Sequence, residues 1–95
     1  MTKLIDALNA RFTDINEIED VANHGCSAGV SGFIYYTETS EFFNQHETDI
    51  QLFLADYDYC LADFCKDPGA TIATAINNMV CAVVEIYCQD RLDNN

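Results

Sequence analysis

The sequence predicts an all-α fold, a single small bundle of four or five helices with a buried C-terminal helix. Three observations point there. Apolar residues recur at three- and four-residue intervals along most of the chain, and no second strand signal exists to pair with the only strand-like run, Phe33-Ile34-Tyr35-Tyr36. The internal breakers are confined to glycines and Pro68, placed between the helical patterns. The 95 residues are 49% hydrophobic and 12% aromatic, enough apolar mass for one core and too much for a disordered acidic chain.

Thr2 is placed to cap a first helix, whose apolar positions Leu4, Ile5, Leu8 and Phe12 follow helical spacing. Thr13 or Asp14 caps a second, with Ile15, Ile18, Val21 and Ala22 inward and Glu17, Glu19 and Asp20 outward. Asn23-His24-Gly25 ends it, because glycine enters positive φ at low cost. A Gly-rich loop, Gly25 to Gly32, separates the second and third helices, and Phe33 to Tyr36 reads as an extended connector plugging the core. Thr37 starts a short helix through Glu41, Phe42 and Phe43 towards His46. Thr48-Asp49-Ile50-Gln51 then fits a capping box opening a longer helix. Its stripe is Ile50, Phe53, Leu54, Tyr57, Leu61 and Phe64, with Lys66 near the end and Asp67-Pro68-Gly69 as the stop. The last helix runs from about Ala70 to Leu92 with Ile72, Ile76, Met79, Val83 and Ile86 inward; Val80, Ala82, Val84 and Tyr87 add apolar surface, so it belongs at the centre. That surplus is also enough to seal a two-fold homodimer interface.

Charge is the strongest functional signal. Four basic residues face sixteen acidic ones, a net charge of −12, and between Phe12 and Cys65 eleven carboxylates occur without one Lys or Arg. Such an imbalance repels itself on a compact body and gains nothing in stability, so its expected purpose is a cationic partner. The same imbalance argues against direct binding of nucleic acid, since phosphate contacts need Lys and Arg. The longest uncharged run, Ala70 to Val84, is too short and polar to span a bilayer, and Met1-Thr2-Lys3 leads straight into an amphipathic segment. The expectation is a soluble, cytoplasmic protein without a membrane partner.

Asp49, Asp56 and Asp63 are spaced by seven, which on one continuous helix gives a stripe with neighbours roughly 10.5 Å apart. Duplex DNA carries about one charge per 1.7 Å of axis, so the row is sparser than a phosphate ladder. An ordinary solvated helix face is the competing explanation, but such faces usually mix signs. Glu47 precedes the row, and Glu38 and Glu41 lie on the helix before it. Tyr59 is expected to face outward among carboxylates, including Asp58, where a ring suits an arginine-rich partner through stacking and ion pairing. The expected partner-contacting residues are thus Glu38, Glu41, Glu47, Asp49, Asp56, Asp58, Tyr59 and Asp63.

Signals for catalysis and metal binding are weak. Gly25-Cys26-Ser27-Ala28-Gly29 matches the G-x-S-x-G elbow in letters only, because that motif needs a strand before it and a helix after. Cys26 with His24 or His46 lacks an orienting group. Five cysteines (Cys26, Cys60, Cys65, Cys81, Cys88) are an odd set whose spacings do not form zinc knuckles, and Asp56-Tyr57-Asp58 lacks the glycine and glutamate of a calcium loop. No enzyme activity, metal or cofactor is expected.

The wording Glu19-Asp20-Val21-Ala22-Asn23-His24-Gly25-Cys26-Ser27-Ala28-Gly29, followed by Gly32-Phe33-Ile34-Tyr35-Tyr36-Thr37-Glu38-Thr39 and Phe42-Phe43, resembles a family of small phage and prophage proteins. That family shares roughly the pattern HG-SG--GFIYY-ET--FF. The resemblance covers about a third of the chain, and between Ala55 and Thr74 this chain is shorter. It implies origin on a mobile element and carries no activity across. In source, size and charge the chain resembles anti-CRISPR proteins, many of which block the RNA- or DNA-binding surfaces of a Cas effector. The resemblance therefore implies an inhibitor whose acidic face occupies a basic surface of a Cas effector or subunit. The alternative is an accessory phage protein that inhibits another host DNA-binding enzyme, such as a restriction nuclease or a transcription factor.

Overall fold

The computed structural model describes residues 2–25, 36–59, 61–64 and 71–94. Among them are four α-helices, α1 (Thr2–Arg11), α2 (Ile15–His24), α3 (Tyr36–Ala55) and α4 (Ile72–Asp93), with one 3₁₀ turn at Leu61–Phe64 and no strand. The fold is the all-α bundle that the apolar periodicity predicts. Most of the Gly-rich loop, the connector from Phe33 to Tyr35, Cys26, Cys60, Cys65, Lys66 and the Asp67-Pro68-Gly69 stop lie outside the described residues.

Helix α1 buries Leu4 and Leu8 completely, and Phe12 follows them into the core just past its end, with its N–H bonded to the Leu8 carbonyl at 2.9 Å. Asp14 is the N-cap of α2, where its Oδ1 accepts the Asn16 N–H at 2.9 Å. Ile18 and Val21 are buried as expected, but Ile15 is exposed. As the first residue of α2, Ile15 sits at the rim, one turn short of the packed face.

Gly25 closes α2 with φ +85° and ψ 164°, a region essentially reserved for glycine, and its N–H bonds to the Val21 carbonyl. A Cβ there would lie 3.1 Å from Oε1 of Glu85 on α4. Gly25→Ala is therefore expected to cost about 1–3 kcal/mol from backbone conformation alone. Chemical denaturation would show it, and an unchanged midpoint would mean that the α2 end relaxes freely.

Two helices are expected between Thr37 and Lys66. The two meet as expected at His46, whose φ −130° and ψ 23° are not helical, so α3 is two helical segments joined across a kink. Apolar residues on both sides of the kink reach the core: Phe42, Phe43, Ile50, Phe53 and Leu54 are all buried. Helix α3 then stops at Ala55, well before the expected end. Tyr59 N–H bonds to the Leu54 carbonyl and Asp58 N–H to the Ala55 carbonyl, both at 3.0 Å, which is a Schellman closure. Asp58 takes the left-handed position at φ +65°, usually held by glycine.

Helices α2 and α3 both pack on α4, and α1 packs on α3, so the C-terminal helix is central. Thr71 caps it, accepting the Thr74 N–H at 3.2 Å. The buried face is Ala75, Met79, Val80, Val83, Val84, Tyr87 and Cys88. This stripe is rotated from the expected one. Ile76 and Ile86 flank the core half-buried, and Ile72, first residue of the helix, is 82% exposed.

Candidate functional site

Helix closure at Ala55 changes how the expected acidic row is built. Asp49 lies on α3, Asp56 in the turn after it and Asp63 on the 3₁₀ segment, so the three do not form one helical stripe. Asp49 is engaged inside the molecule. A hydrogen bond from the chain's amino group, offset by some desolvation and aided by the Leu4 backbone N–H, holds its carboxyl below the ordinary value of 3.8. Its role is that of a carboxylate at the positive N-terminal end of α1. With the folded value depressed, Asp49 contributes stability above the ordinary aspartate range and loses it as pH falls through the folded value. Asp49→Asn should accordingly flatten the acid limb of a stability-against-pH curve below about pH 4. An unaltered limb would remove Asp49 from this role.

Glu41 and Glu47 are exposed on α3, and Asp63 is half-buried. The side chain of Glu38 lies outside the described set. Asp56, Asp58 and Tyr59 come together in the closure turn, all exposed. Tyr59 is 43% exposed as expected, with its ring 5.7 Å from that of Phe64.

Tyr57 is the main correction. Its spacing assigns it to the core stripe, yet it is 42% exposed, because the chain has left the helix before reaching it. Its ring lies 5.4 Å from Phe53, and its hydroxyl donates to Oδ2 of Asp90 at 2.6 Å. That hydrogen bond, followed by desolvation and the charges of Asp90 and Asp56, pushes the phenol pKa above its usual value. Asp90 is the residue that sequence reasoning missed. It stands 33 positions from Tyr57 and only the folded chain joins them.

This end of the molecule gathers Asp56, Tyr57, Asp58, Tyr59 and Asp90 where α3 and α4 both terminate. Helix C-termini carry partial negative charge, which adds to the carboxylates. Asp58→Gly is expected to stabilise the fold by up to about 1 kcal/mol, since glycine occupies the left-handed position without the Cβ penalty. A lower melting temperature for that variant would overturn the Schellman assignment.

Both arginines are held by internal partners. Arg11 Nη1 pairs with Glu17 Oε1 at 2.7 Å and its guanidinium lies 5.1 Å from the Phe12 ring centre. Arg91 donates to the Tyr87 hydroxyl and, at 3.4 Å, to Asn9 Oδ1, while Tyr87 itself donates to Asn9. Both arginines thus tie helices together. Among the described residues eleven carboxylates are exposed.

Among the described residues no group of three or more His, Cys, Asp and Glu is placed to hold a metal ion. Cys88 is fully buried; burial, then the charge of Glu17, pushes its thiol up to about 11, so it is protonated at neutral pH and a poor nucleophile. No helix among the described residues is long and apolar enough to cross a membrane.

Residues 1–95 match the family described as a domain of unknown function, DUF7222, and the chain belongs to it. No curated protein and no solved structure matches the chain.

Proposed function

We propose that this protein is a non-enzymatic inhibitor that docks its acidic surface on a basic nucleic-acid-binding surface of a Cas effector complex. One observation carries the reading. Among the described residues eleven carboxylates are exposed while Arg11 and Arg91 are held by internal partners, in a chain of net charge −12. Such a field accelerates encounter with a cationic surface and rejects nucleic acid itself. The exposed rings of Tyr57 and Tyr59 beside Asp56 and Asp58 supply short-range contacts that slow dissociation.

Affinity capture from a CRISPR-bearing bacterial host at low and moderate salt, followed by mass spectrometry, tests the proposal. Recovery of Cas subunits that falls as salt rises is the expected result. Recovery of a restriction nuclease or transcription factor in their place moves the same acidic docking to another DNA-binding enzyme. Absence of any salt-sensitive cationic partner ends the inhibitor reading.

A further inference from the structure

An open groove of about 230 Å³ lies at the end of the bundle where α3 and α4 terminate, lined by Ile5, Phe53, Tyr87, Asp90, Arg91 and Asn94. Small-molecule sites usually run from about 300 to 1,000 Å³, so this groove fits a single side chain better than a cofactor. Its floor is mostly apolar, made by Ile5, Phe53 and Tyr87. Tyr57 borders it, packed on Phe53 and held by Asp90. Asp90 Oδ2 accepts the Tyr57 hydroxyl, and Oδ1 has no hydrogen-bond partner among the described residues. Arg91 at the rim is fixed on Tyr87 and Asn9.

We propose that this groove receives an arginine side chain of the cationic partner, its stem on the apolar floor and its guanidinium at Tyr57 and Asp90. The assignment rests on the acidic-docking reading above and specifies how that surface discriminates. Charge complementarity selects a cation: Asp90 is part of the lining, Asp56 and Asp58 flank Tyr57 in the closure turn, Arg91 is taken up by Tyr87 and Asn9, and α3 and α4 end here with partial negative charge. The exposed Tyr57 ring beside a carboxylate selects arginine among cations. A planar guanidinium stacks on an aromatic face while its fork donates to a carboxylate, whereas an ammonium is a compact, strongly hydrated point charge.

The test compares a synthetic oligo-arginine peptide with an oligo-lysine peptide of equal length, titrated calorimetrically into the full chain. Arginine is expected to bind about fivefold tighter. Tyr57→Ala and Asp90→Asn should each bring that ratio close to one. Asp20→Asn removes one charge from exposed α2 and should weaken both peptides while leaving the ratio intact. Equal, salt-sensitive binding of both peptides to the wild-type protein would overturn the arginine groove and leave acidic docking standing. A preference that survives both Tyr57→Ala and Asp90→Asn would also overturn it. If neither peptide binds, acidic docking fails together with the groove.

Discussion

Phe12→Ala is expected to remove about 3–5 kcal/mol of stability, the usual cost of truncating a buried phenylalanine. A chain of this length is stable by only about 5–14 kcal/mol at the common per-residue range. The melting temperature should therefore fall on the order of 15–30 °C. The position explains the size of the effect. Phe12 is fully buried between α1 and α2, and its ring centre lies 5.9 Å from that of Tyr87 on the central helix. The Arg11 guanidinium covers the same ring, and Tyr87 continues into the Asn9–Arg91 network. One truncation leaves a cavity and loosens the polar tie between the first and last helices. Thermal melting followed by circular dichroism gives the answer, and a loss below about 1 kcal/mol would mean that the site collapses around the missing ring.

Replacing Asp56, Asp58 and Asp90 together with asparagine should weaken association with the proposed cationic partner by about tenfold to a hundredfold at low salt. That range follows from three exposed ion pairs at about 0.5–1 kcal/mol each. Most of the change should be in the association rate, and the dependence of binding on salt should become shallower. Folding should be unharmed, because all three side chains are exposed and removing them relieves like-charge repulsion. The amide oxygen that Asp90→Asn introduces still accepts the Tyr57 hydroxyl. The comparison is a second triple variant, Asp20→Asn, Glu41→Gln and Glu47→Gln, which removes equal charge elsewhere. If both triples lose affinity equally, net charge governs binding and the end of the bundle has no special part.

The helical class, the inward faces of α1 and α2 and the central place of α4 were legible in the sequence. They rest on local rules: caps at Asp14 and Thr71, a glycine end at Gly25, and apolar spacing that tertiary packing left in force. Misplaced residues have specific causes. Ile15 and Ile72 are each the first residue of a helix, in register with an apolar stripe but beyond the packed turn. The early end of α3 was hidden because Tyr57, Leu61 and Phe64 continue a three-and-four rhythm that a turn followed by a 3₁₀ segment reproduces. The closure also uses Asp58 where glycine would have flagged it. The candidate site was half legible. Asp56, Asp58 and Tyr59 follow from charge and exposed aromatics, while the Tyr57–Asp90 pair depends on two helix ends meeting.

The central helix comes after all its partners in chain order. As the polypeptide leaves the ribosome, α1, α2 and most of α3 emerge before the surface that α2 and α3 pack on exists. At about 5–20 residues per second, the 22 residues of α4 take roughly one to four seconds to appear. During that interval Phe12, Ile18 and Phe53 are open to chaperones, and the carboxylates around them keep nascent chains apart by mutual repulsion. The negative charge proposed to meet a cationic target thereby has a second use, shielding the half-made protein.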